Sequence, residues 1–160
     1  MSGPAAALLR GLDRAVGLAL LALLAALVAI GGLQIVFRFV LGNPLPWVLE
    51  ASVLGMVWAT MLSGYVGVRQ NRHLSADFVG LRLSPRRRWV LDLVAMLLCL
   101  VFLAVYGWSS LAVVDAMDGI PFTSLPVEQP ALYWSLPVGA LLMALAFAVR
   151  LREHAASRPR

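Results

Sequence analysis

Residues 46–88 read PWVLEASVLGMVWATMLSGYVGVRQNRHLSADFVGLRLSPRRR, and they decide the fold. The first part is an apolar run long enough for one membrane-crossing helix, about residues 46–68. The second is a basic loop holding six of the chain's thirteen arginines. Pro46 suits a first helical turn, where its missing N–H costs nothing. Arg69 and Arg72 follow the run, where cations meet the negative end of the helix dipole.

Working outward, the same alternation of apolar runs and short polar connections recurs. Residues 15–37 carry no charge, and a helix of that length spans about 34 Å, enough to cross a bilayer. The run exceeds the length of a signal-peptide core, so a retained helix is expected. Two more apolar runs cover about residues 89–114 and 131–149, the last opening on the interface anchors Tyr133 and Trp134. Pro137 is expected to kink this fourth helix. Residues 152–160 read as a flexible tail. The chain is thus one all-α membrane domain, residues 1–160, with four transmembrane helices.

Composition supports this class. Charged residues make up 13% of the 160-residue chain, about half the share of a soluble domain, and mean hydropathy is +0.87. Net charge is +5, all of it from arginine. The arginines flank the apolar runs, so topology explains them and no nucleic-acid partner is expected. Twelve of the thirteen fall at the N-terminus, in the loop at 69–88 or at the C-terminus. The positive-inside rule then puts both termini and that loop in the cytoplasm. Within the loop, residues 73–83 place Leu74, Phe78, Leu81 and Arg82 near one side of a helix. They read as a short interfacial helix resting on membrane lipids. Arg69, His73, Asp77, Arg86, Arg87 and Arg88 form the anchor at this cytoplasmic end.

Enzyme motifs are absent. There is no glycine-rich phosphate loop and no HExxH, and the lone Cys99 lies within an apolar run. His73 and Asp77 are spaced to share a helix face, but two ligands do not make a metal site. No catalytic residue, metal or cofactor is assigned to this chain. Two features of the second helix invite function. Glu50 is an acid within an apolar segment, which by default marks a functional site. It lies one turn from the helix start, where the dipole favours a carboxylate and Arg38 is within reach across the short loop. Small residues recur at Ala51, Gly55, Ala59, Ser63 and Gly67, a stripe that permits close helix approach. With Trp47 and Glu50 it forms a candidate partner interface, and packing within the chain is the competing reading.

These residues resemble the small membrane subunit, the DctQ-like subunit, of tripartite ATP-independent periplasmic (TRAP) transporters. The pattern is Leu45-Pro46-Trp47 followed by Glu50, then Trp58 and Gly64. Arg69, His73 and Asp77 follow in the form R-x3-H-x3-D, then Leu83-Ser84-Pro85-Arg86. Leu136-Pro137-Val138-Gly139 and Met143-Ala144 complete it. The similarity covers about residues 15–152. Family members often carry two adjacent acids after the tryptophan, where this chain has Leu49 before Glu50. The resemblance implies a bacterial inner-membrane subunit that supports a large permease subunit. The large subunit would carry the substrate path and the sodium sites, and a periplasmic binding protein would deliver an organic acid. Two alternatives stand beside it: a stand-alone proton-coupled exporter using Glu50, and the small subunit of a tripartite tricarboxylate-type transporter. The R-x3-H-x3-D loop favours the first reading over the last.

Overall fold

The structure is a computed structural model that describes residues 4–70 and 85–156. The expected interfacial helix at 73–83, with His73 and Asp77, lies outside the described residues. So does the end of the tail beyond residue 156.

Among the described residues, four helices are long and apolar enough to cross a membrane. The first, α1, runs Pro4–Phe39. It begins well before the expected residue 15, because Ala5, Ala6, Ala7, Leu8 and Leu9 are strong helix formers and carry the helix back through the polar lead. At 36 residues it is about 54 Å long, so part of it extends beyond a hydrocarbon core of about 30 Å. A tight turn follows, with Gly42 at φ 63°. The Leu45 N–H donates to Gln34 Oε1 at 3.0 Å, closing this turn onto the end of α1.

Helix α2 spans Trp47–Arg69. Helix α3 spans Pro85–Ala116, starting four residues earlier than the expected Trp89. Proline is tolerated in a first turn, so Pro85 opens this helix, and Arg86, Arg87 and Arg88 form its exposed first turns. The fourth crossing is a single turn, α4 (Pro130–Tyr133), followed by α5 (Ser135–Ala156). The break falls where Pro137 has no N–H to offer the Tyr133 carbonyl. Ser135 Oγ instead donates to Leu132 O at 2.6 Å, and its residue is fully buried. Helix α5 runs on to Ala156, beyond the expected residue 149 and into the expected flexible tail. Arg150, Leu151 and Arg152 have good helix propensity, and His154 is held against α3.

The helices pack as a row in the order α1, α2, α5, α3. The two inner members approach each other closely. A Cβ built on Gly139 would lie 2.6 Å from Met61 Cβ, and one built on Gly64 would lie 2.7 Å from Met143 Sδ. Gly107 of α3 likewise lets Ala140 in, at 3.3 Å from the position a Cβ would take. With little hydrophobic drive between helices in lipid, this close packing is what gives the seams their stability. Buried Leu62, Tyr65, Met96, Leu103, Ala146 and Phe147 fill the space between. The outer members are barely covered. Only 6% of the most apolar stretch of α1 and 11% of that of α3 is buried, against 28% for each inner crossing.

Candidate functional site

The chain has two polar ends and a small-residue stripe between them. At one end stands Glu50, in the first turn of α2. Its carboxylate accepts three backbone N–H groups: Thr123 at 3.0 Å on Oε1, and Ser124 at 2.8 Å and Leu125 at 3.0 Å on Oε2. Successive N–H groups converging on one carboxylate make an anion nest, and each bond is charge-assisted. The expected pairing with Arg38 is replaced by this one. The Arg38 guanidinium instead lies 5.6 Å from the centroid of the adjacent Phe39 ring. The loop between α3 and α4 can present its N–H groups because it is folded. Gly119 takes φ 72°, Pro121 and Glu128 form an isolated antiparallel bridge, and Gln129 N–H donates to Ile120 O at 2.8 Å. Trp58 Nε1 adds a second tie, donating to Ala131 O at 2.9 Å. Glu50 therefore fastens the α3–α4 loop to α2.

At the arginine-rich end, Arg69 does more than flank its helix. Its Nε and Nη2 donate to the two oxygens of Asp13 at 2.9 and 2.7 Å, and Tyr65 Oη donates to Asp13 Oδ1 at 2.6 Å. This two-point clasp joins α1 to α2. A cavity of about 280 Å³ opens beside it, lined by Asp13, Gly17, Tyr65, Val66, Arg69 and Gln70. Arg150 Nη1 of α5 reaches the Val68 carbonyl at 3.3 Å, capping the end of α2. Trp89 and His154 stack at 5.3 Å with an 11° interplanar angle. They exchange bonds as well. Trp89 Nε1 donates to His154 O at 3.1 Å, and His154 Nε2 lies 3.0 Å from Trp89 O. Arg86, Arg87 and Arg88 are exposed on the first turns of α3 beside this pair.

The stripe divides. Gly55 and Ala59 are buried, and Gly55 faces Leu27 of α1, whose Cδ2 lies 3.0 Å from the position a Cβ would take. Ser63 is exposed and bonds the Thr60 carbonyl of its own helix, while Ala51, Gly67 and Trp47 are half-buried. Sequence reasoning did not find Asp13, Tyr65, Trp89 or His154 as functional positions. The one available signal was that Asp13 is the only acid before Glu50. Among the described residues, no group of three His, Cys, Asp or Glu side chains converges. What the arrangement does is hold: each polar cluster joins two helices or a helix and a loop.

A family model for the DctQ component of tripartite ATP-independent periplasmic transporters matches residues 27–157. No curated protein matches the chain.

Proposed function

The chain belongs to the DctQ component family of the tripartite ATP-independent periplasmic transporters, and from that membership we propose that it is the structural small subunit of a sodium-coupled organic-acid importer. It does no chemistry. The large permease subunit carries the substrate path and the sodium sites, and a periplasmic binding protein delivers the substrate. The subunit lies in the bacterial inner membrane with both termini in the cytoplasm, so that the Glu50 end faces the periplasm. The observation that carries a supporting role is the open row of helices. α1 and α3 leave most of their apolar stretches uncovered, and a permease partner can take one face while lipid takes the other.

Glu50 is the one acid that a stand-alone exporter would use. Both of its oxygens are occupied by loop N–H groups, which favours the structural reading. The test is co-expression of this chain with a tagged large subunit and its binding protein. The chain is expected to co-purify with the large subunit, and sodium-driven uptake into vesicles is expected to require both. Full uptake without this chain would sink the proposal, as would substrate movement by this chain alone in liposomes that is lost in Glu50→Gln.

A further inference from the structure

The clasp at the arginine-rich end leaves a shaped space that the subunit's supporting role does not use. The cavity beside Asp13 and Arg69 holds about 280 Å³. It opens at Gly17, where an added Cβ would meet nothing within 4 Å. Arg69 is the last residue of the 23-residue α2, so the cavity lies at one end of a crossing, at headgroup depth. Asp13 takes two of the five guanidinium N–H donors of Arg69, through Nε and Nη2, leaving Nη1 outside that pairing. At about 100° per residue, Arg10, Asp13, Arg14 and Gly17 fall within one sector of about 100° on α1. Arg10 and Arg14 are both exposed. Asp13 is already paired with Arg69, and two further guanidiniums, Arg10 and Arg14, share its sector of α1. Among the described residues, Glu153 is the other carboxylate whose field reaches Arg69, and Arg150 and Arg152 flank it in sequence.

Deeper along the same sector the surface is apolar. Leu21, Leu24 and Val28 are 65%, 48% and 77% exposed and follow Gly17 along α1 toward the middle of the crossing. A cationic notch at headgroup depth, continuing into an exposed apolar track, matches one class of ligand. We propose that this cavity is a binding site for an anionic glycerophospholipid. The phosphate meets Arg69 at the Gly17 notch with Arg10 and Arg14 at its rim, and an acyl chain lies along Leu21, Leu24 and Val28.

The test uses the full chain in a mild non-ionic detergent, offered dioleoylphosphatidylglycerol, dioleoylphosphatidylcholine or inorganic phosphate. Native mass spectrometry reads retention, and the unfolding temperature is followed alongside. Retention of the glycerol lipid is expected to exceed that of the choline lipid by about fivefold, roughly a 1 kcal/mol preference. Gly17→Leu fills the notch and is expected to erase the preference while leaving the lipid-free unfolding temperature at or above that of the parent. Gly32→Leu, also in open space and about 22 Å further along the helix, is expected to keep it. The double variant Arg10→Gln/Arg14→Gln alters only exposed side chains and is expected to lose the preference without touching the cavity walls. Equal retention of the two lipids overturns the proposal. So does unchanged preference in Gly17→Leu or in the double arginine variant, or protection by inorganic phosphate equal to that by the lipid.

Discussion

Glu50 shows how a costly residue becomes structural. A carboxylate in an apolar helix is destabilising unless something compensates it, and here three backbone N–H groups do. Replacing it with alanine leaves those donors without their acceptor. The expected outcome for Glu50→Ala is faster amide exchange at Thr123, Ser124 and Leu125, by about tenfold for each 1.4 kcal/mol lost. Exchange at the core of α5 should be nearly unchanged, and equal acceleration everywhere would show that Glu50 supports the whole bundle instead. The partly buried Asp13–Arg69 clasp invites a different measurement. A double-mutant cycle with Asp13→Asn and Arg69→Gln is expected to give a coupling of about 1–2 kcal/mol, above that of an exposed pair because two points of contact fix the geometry. Additive effects would mean the pair contributes nothing jointly. Neither contact was legible in the sequence beforehand. Glu50 stood out, but its partners are backbone groups 73 to 75 residues away, and a main-chain N–H carries no residue signature. Asp13 and Arg69 are 56 residues apart, and an acid near one helix end names no particular arginine.

The helices were far easier to read than the seams between them. Four apolar runs announce four crossings, because the bilayer admits few alternatives. Their ends were less legible: Pro85 opens a helix as readily as it closes a preceding one, and residues 150–156 are polar yet helix-forming. The order of the row could not be read at all, since apolar helices in lipid share their pattern and differ only in where small residues allow approach. The α2 stripe turns out to face α1 at Gly55. The α2–α5 seam depends on Gly64 and Gly139, which no periodicity singled out. A methyl at Gly139 would meet Met61 Cβ, next to the main chain and unable to swing away, whereas one at Gly64 would meet only the flexible end of Met143. Gly139→Ala is therefore expected to destabilise the chain by about 1–3 kcal/mol, and Gly64→Ala by less. Thermal unfolding in detergent ranks the two, and the reverse order would place the rigid contact elsewhere.

At the scale of the molecule, the row α1, α2, α5, α3 is made of two units joined at one seam. Residues 4–70 form a helical hairpin, and residues 85–156 form another. The seam between them is held near one end by the Glu50 nest and the Trp58–Ala131 bond, and at the other by Arg150 on Val68. All of these ties lie within the two described segments. The polypeptide is in effect a heterodimer written on one strand, whose seam supplies recognition. Residues 1–70 and 71–160, expressed as two separate chains in one membrane, should therefore find each other and co-purify. Glu50→Ala combined with Gly139→Ala should abolish that reunion while the uncut double variant still assembles, because the covalent link replaces what the weakened seam has lost.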